Sequence, residues 1–235
     1  MRGPVALIGA GEFLPAMLEF DRALLEATGR ERPRVAILPT ASWPDGEQVF
    51  RRWAAMGVTH FGRLGAEVEP VLVRDRGDAD DTGACQAIGE ADLVYLSGGT
   101  PAHLLESLAG TSVGRALAEA NDRGAILAGC SAGAMALAGH SFAFRLRPVP
   151  WLLRWRPGLG LVPGVTVVPH YDAWPEPLSA LIALQSPRGS VVIGIDEETG
   201  IVGTDGAWQV RGRARVTVWR GRHRERFRDG DTFTP

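Results

Sequence analysis

Short runs of wholly apolar residues alternate along the chain with longer stretches in which apolar positions recur every three or four residues. The runs at 5–9, 34–39, 68–73, 93–97, 125–129, 165–169 and 191–195 have strand length, and several have no polar face. A strand covered by helices on both sides reads in this way, whereas a strand with one wet face alternates. Helical periodicity occupies 14–28, 47–56, 101–108, 113–123 and 132–138. This order predicts an α/β fold, a doubly wound and mostly parallel sheet flanked by helices. Beyond residue 200 short strands follow one another with turn residues between them, which predicts a C-terminal antiparallel strand meander.

A length of 235 residues suits one domain over 1–235. With 45% hydrophobic and 22% charged residues, the chain can bury a core and is not of disordered composition. All 25 basic residues are arginine, so lysine nucleophiles and Schiff bases are excluded. The net charge of -2 gives no bulk attraction to nucleic acid or membrane. Residues 211–235 hold eight arginines against three acids, but only Trp219 and Phe227 interleave with them; a solvated hairpin is expected rather than a nucleic-acid surface. No signal-peptide pattern and no apolar run of about 18 residues is present, so a cytoplasmic protein without membrane contact is expected. Cys85 and Cys130 are too few for a disulfide framework or a zinc cluster.

The most informative motif is Gly129-Cys130-Ser131-Ala132-Gly133, a G-x-S-x-G sequence between an apolar strand and a helical segment. Glycines flank the serine where a sharp strand-to-helix turn leaves no room for side chains. Ser131 is thereby expected at the C-terminal end of a central strand, where open α/β sheets place their sites. The helix N-terminus behind it offers free N–H groups to a developing oxyanion. Cys130, one residue earlier, reads as a small buried residue. A second turn, Ser97-Gly98-Gly99-Thr100-Pro101, follows another apolar strand; its double glycine leaves backbone N–H groups open, with Thr100 at the N-cap and Pro101 at the first helical position. Gly9-Ala10-Gly11 lacks the third glycine of a dinucleotide fingerprint, since Leu14 stands there. No histidine has metal-ligand spacing to another histidine or cysteine, and no cofactor or metal is expected.

A serine nucleophile needs a base and a carboxylate to orient it. Among five histidines, His170 ends the apolar strand 165–169, whereas His103 and His140 lie on helices beyond the two turns. Asp196, Glu197 and Glu198 follow the strand 191–195, and spacing alone does not choose among them. The segment 142–155, with Arg145, Arg147, Trp151, Arg154 and Trp155, reads equally as a lid beside the serine helix or as a surface element.

Taken together, the opening glycine turn, SGGT, GCSAGA, GLGLVPG before PHYD, and GIDEETGIV resemble the cyanophycinase and aspartyl dipeptidase (peptidase E) family of serine peptidases, over nearly the whole chain. That resemblance implies a fold shared with class I glutamine amidotransferase domains. It implies Ser131 as nucleophile, His170 as base and Glu197 as the acid. It further implies oxyanion donors at Gly98, Gly99 and Ala132. The aspartate assigned in peptidase E soon after the nucleophile helix has no counterpart here, because 134–171 contains no acid. Thr100-Pro101 replaces a polar pair of the cyanophycinases, and no basic residue follows His170 until Arg188, so Thr100, Tyr171 and Trp174 are the expected substrate contacts. The implied activity is a serine peptidase cleaving small peptides or isopeptides through an acyl-enzyme, with a homodimer as one possible assembly. Two other readings are an amidase or amidotransferase-like enzyme, against which a serine in place of cysteine argues, and a non-catalytic binding protein retaining the fold.

Overall fold

The computed structural model describes residues 2–144, 152–204 and 206–235. Its first half runs β1 (Val5–Ile8), α1 (Leu18–Ala27), β2 (Arg34–Leu38), α2 (Glu47–Arg63), β3 (Glu67–Pro70), α3 (Thr82–Glu90), β4 (Leu93–Leu96), α4 (Pro101–Leu108), α5 (Ser112–Asp122) and β5 (Ile126–Cys130). Then follow α6 (Ala132–Leu137), β6 (Ala138–Phe144), β7 (Leu153–Pro157), β8 (Val162–Val168), α7 (Glu176–Gln185) and β9 (Val191–Ile195). The last strands are β10 (Thr199–Thr204), β11 (Ala207–Gly212), β12 (Val216–Arg220), β13 (His223–Phe227) and β14 (Thr232–Phe233).

Two sheets result. The larger has the order β14-β11-β10-β1-β5-β4-β2-β3, and its strands from β1 to β3 are parallel. Strands β1, β4 and β5 are buried along their whole length, as their unbroken apolar runs require. Alternate residues serve opposite faces. Ile8, Ile37, Tyr95 and Ala128 pack with Phe20 and Leu24 of α1 and Phe61 of α2. Leu7, Leu38, Leu96 and Leu127 pack with α4, α5 and α6. The smaller sheet, β13-β12-β9-β8-β6-β7, adds Val165, Val167, Ile193 and Ile195 to that second core from the far side of α6.

The terminal strands are antiparallel but divide between the sheets: β10, β11 and β14 extend the larger, β12 and β13 the smaller. Other differences from the sequence pattern have local causes. Helix α2 continues to Arg63 through Gly57, because a Cβ there would lie 2.9 Å from Ile37; the glycine serves close packing, not termination. The run 68–73 forms only the edge strand β3. Helices α3 and α7 and the hairpin β6–β7 stand where no element was expected. That hairpin includes Phe144 and Trp155, whereas Arg145, Arg147 and Trp151 lie outside the described residues. The arginine-rich end forms a paired surface: Arg213 bridges Glu198, Arg220 bridges Glu225, and Arg224 and Arg226 meet Glu176.

Helices α1 and α2 are joined by a buried hydrogen bond between His60 Nε2 and Asp21 Oδ2 at 2.8 Å. Asp21 is fully buried, and among the described residues its Oδ1 has no partner. Burial pushes its carboxyl above the ordinary range, and the His60 contact opposes that rise. A raised folded-state value means that the group's contribution to stability is complete below the unfolded value and is lost as pH rises. His60→Leu, which leaves Asp21 unpaired, is expected to cost about 3–5 kcal/mol near neutrality and less in acid, where the raised Asp21 carboxyl is neutral. Urea unfolding near neutrality and in acid measures this; equal losses would assign the cost to packing alone.

Candidate active site

Strand β5 ends at Cys130, and α6 begins at Ala132. The single residue between them, Ser131, has φ 50° and ψ -108°, a sparsely populated conformation for a side chain-bearing residue. Its flanking glycines make the turn possible. A Cβ on Gly133 would lie 2.2 Å from the Leu96 carbonyl oxygen of β4, and one on Gly129 would lie 2.5 Å from the Gly133 carbonyl carbon. The Ser131 N–H donates to Ile8 O at 2.9 Å, and its carbonyl accepts from Met135 at the start of the helix. The side chain is thus held out of the sheet, half-buried, at the carboxyl end of a central parallel strand.

The partners come from the smaller sheet. After β8 the chain turns at His170, itself left-handed (φ 48°, ψ 42°), and after β9 it turns through Asp196, Glu197 and Glu198. Ser131 Oγ lies 3.0 Å from His170 Nε2, and His170 Nδ1 lies 2.7 Å from Glu197 Oε1. The three neighbouring acids separate cleanly. Asp196 is buried and accepts the Arg215 N–H; burial pushes its carboxyl up, which that bond opposes. Glu198, at φ 53°, pairs with Arg213. Glu197 alone meets the imidazole, and its own N–H donates to Asp172 Oδ1 at 3.0 Å. The His170 and Glu197 side chains are 41% and 50% exposed, so the arrangement opens to solvent.

The Gly98–Gly99 turn follows β4 beside Ser131. Gly99 has φ 139°, and a Cβ there would strike the Ala41 carbonyl at 2.3 Å. Among the described residues, the N–H groups of Gly99 and Ala132 have no protein acceptor. Gly98 requires a correction: its N–H donates to Glu12 Oε1 at 2.8 Å and is therefore occupied. Glu12 was not anticipated, although an acid directly after Gly9-Ala10-Gly11 interrupts an otherwise apolar opening. It is buried, and its Oε2 accepts from Cys130 Sγ at 2.9 Å. Burial and the adjacent Glu12 push the Cys130 thiol well up, so it stays protonated and serves as a donor.

The residues expected to contact substrate also make contacts within the protein. Tyr171 packs its ring where a Cβ on Gly194 would be, 2.1 Å away, and its hydroxyl accepts from Trp219 Nε1. Trp174 donates to Pro169 O and stacks on Phe144, with ring centroids 5.6 Å apart. Both side chains thereby brace the segment that follows His170, Tyr171 through an accepted hydrogen bond and Trp174 through a donated one. Thr100 is half-buried at the N-cap of α4, with no side-chain capping bond; its N–H donates to Ala41 O. His103 binds the Arg74 carbonyl and Ser107, and His140 lies in β6. No group of acids, histidines and cysteines that could hold a metal occurs among the described residues, and no helix among them is long and apolar enough to cross a membrane.

The model of peptidase family S51 matches residues 5–211. A cyanophycinase of Trichormus variabilis is 29% identical over 223 residues, covering 91% of this chain and 72% of that protein. An uncharacterised peptidase of Bacillus subtilis is 28% identical over 173 residues, covering 73% and 70%. The crystal structure of a peptidase from an acI-B1 actinobacterium has a TM-score of 0.89 to this fold at 34% identity, covering all of this chain and 97% of the other.

The glycine packing around Ser131 is open to test. Gly133→Ala is expected to destabilise the protein by about 1–3 kcal/mol, since its Cβ meets backbone that cannot step aside. Gly62→Ala is the control: that glycine is exposed in α2 with nothing within 4 Å, and alanine there should stabilise by up to about 1 kcal/mol. Chemical denaturation of both variants decides; similar shifts would mean that the strand–helix contact is not tight.

Proposed function

Because this chain belongs to peptidase family S51, whose model spans residues 5–211, we propose that it is a serine-type peptidase acting through an acyl-enzyme on Ser131. The observation that carries this reading is the unbroken chain from Ser131 Oγ through both nitrogens of His170 to Glu197. His170 takes the Ser131 proton as the oxygen attacks the scissile carbonyl. Glu197, on the other ring nitrogen, fixes the tautomer and stabilises the imidazolium. The N–H groups of Gly99 and Ala132 receive the oxyanion, Ala132 at the N-terminus of α6. His170 then protonates the leaving amine, and a water activated by the same imidazole releases the acyl group.

The proposed substrates are small peptides or isopeptides. A cyanophycinase is among the relatives, but a buried acidic side chain on a substrate needs a paired cation, best a bidentate arginine. The sequence from Tyr171 to Pro187 offers none, and the aromatic group of Phe142, Phe144, Trp155 and Trp174 lies beside the His170 turn. An uncharged residue at the acylation site fits these surroundings better than an aspartate.

A fluorophosphonate probe should label the wild type and not Ser131→Ala, and the variant should lose at least about 10⁴-fold in turnover while melting like the wild type. Turnover is read on Leu- and Ala-led dipeptides, Asp-led dipeptides and β-aspartyl-arginine. Retained turnover in Ser131→Ala would end the serine mechanism, and cleavage of the aspartyl compounds alone would end the uncharged preference. Glu197→Gln is expected to lose roughly 10²–10⁴-fold in kcat, far more than Asp196→Asn or Glu198→Gln. Small and equal losses in all three would place the orienting acid elsewhere.

A further inference from the structure

Buried carboxylates are costly, and each one in a core needs partners that offset its desolvation. Glu12 is only 8% exposed, and its two oxygens are divided between two distant segments. Oε1 accepts the N–H of Gly98, in the turn after β4, at 2.8 Å. Oε2 accepts from Sγ of Cys130, the residue before Ser131, at 2.9 Å. One residue beyond Gly98 is Gly99, and two beyond Cys130 is Ala132, the two residues whose N–H groups stand without protein acceptors. The carboxyl fills the place that a side chain on Gly98 would take: a Cβ there would lie 2.6 Å from Oε1 and 3.4 Å from the Ser131 Cβ.

Resting on the serine-peptidase reading above, we propose that Glu12 is a positioning residue whose carboxyl group spans the Gly98 turn and the end of β5, setting the separation of the Gly99 and Ala132 N–H groups that receive the oxyanion. The same bridge removes the Gly98 N–H from competition, so the oxyanion meets two donors rather than three. Chain length matters more than charge in this role. Asp at position 12 keeps the carboxyl group but is one methylene short of spanning the two donors. Gln keeps the reach and an acceptor for Gly98, and the Cys130 thiol can turn to accept from its amide. A misplacement of about 1 Å at a reacting centre costs on the order of a hundredfold in rate.

The test uses a fluorophosphonate probe on the full chain. Ser131 Oγ bonds to phosphorus, fluoride leaves, His170 takes the proton, and the phosphoryl oxygen occupies the oxyanion position. The maximal labelling rate constant (kinact) and the half-saturating probe concentration (KI) are measured for the wild type, Glu12→Gln, Glu12→Asp and Glu12→Ala. Labelling amplitude reports the folded fraction. The expected result is a fall in kinact of on the order of a hundredfold for Asp and Ala at little-changed KI and full amplitude, with Gln within about tenfold of wild type. If Ala does not fold, the Asp and Gln pair carries the decision. Wild-type kinact in Glu12→Asp, or a Gln variant as slow as Asp, overturns the assignment while leaving the serine reading intact. Absence of labelling in the wild type overturns both.

Discussion

A side chain at residue 133 would stand 2.2 Å from the carbonyl oxygen of Leu96, and this one steric fact governs the site. With glycine there, α6 can begin immediately after β5 and lie against β4. Glycine at 129 lets the strand pass the same helix backbone. The residue between them is forced into φ 50°, which lifts its side chain off the sheet and leaves the first N–H of the helix unpaired beside it. A conformation of this kind costs on the order of 1–3 kcal/mol, and the surrounding backbone bonds to Ile8 and Met135 hold it in place.

The rest of the site is brought in by a second layer. The chain leaves α6 directly into β6, the smaller sheet forms on the opposite side of that helix, and β8 and β9 deliver His170 and Glu197 to the same end as Ser131. The carbonyl of Asp196 lies 2.2 Å from where a Cβ on Gly9 would be, so the Glu197 turn is laid directly over the end of β1. Glu198 completes that contact by donating its N–H to Ala10 O. Close backbone approach, permitted by glycine, thus sets both the serine and the acid.

Much of this was readable from residues alone. The wholly apolar strands announced a covered sheet, and the G-x-S-x-G context located the serine turn, because those signals are local. The structure selects Glu197 from three consecutive acids, since selection depends on which way successive side chains point from a turn. Glu12 was invisible for a different reason: its partners lie at positions 98 and 130, and no spacing rule connects them. The hairpin β6–β7 escaped because β6 begins at Ala138, directly after α6 ends at Leu137, with no intervening loop to mark the boundary. Helix α3 escaped because TGACQAIGE has little polar contrast and two glycines. Nor do local patterns show that Tyr171 and Trp174, expected at the substrate, also brace the His170 turn, since Tyr171 meets Trp219 and Trp174 meets Phe144 only across the fold.

The division of the last strands between the two sheets bears on how the site is braced. Ser131, His170 and Glu197 all precede residue 198, yet β9, which carries the Glu197 turn, is bordered on its outer side by β12, and Asp196 is tied to Arg215 twice: its N–H donates to Arg215 O, and its carboxylate Oδ2 accepts the Arg215 N–H. A chain that reaches only residue 210 therefore contains all three of these residues while the outer edge of β9 has no β12 beside it. The geometry that joins Ser131, His170 and Glu197 therefore leans on strands that come later in the chain than any of the three residues, and a fragment ending before β12 would hold them without the edge that braces β9.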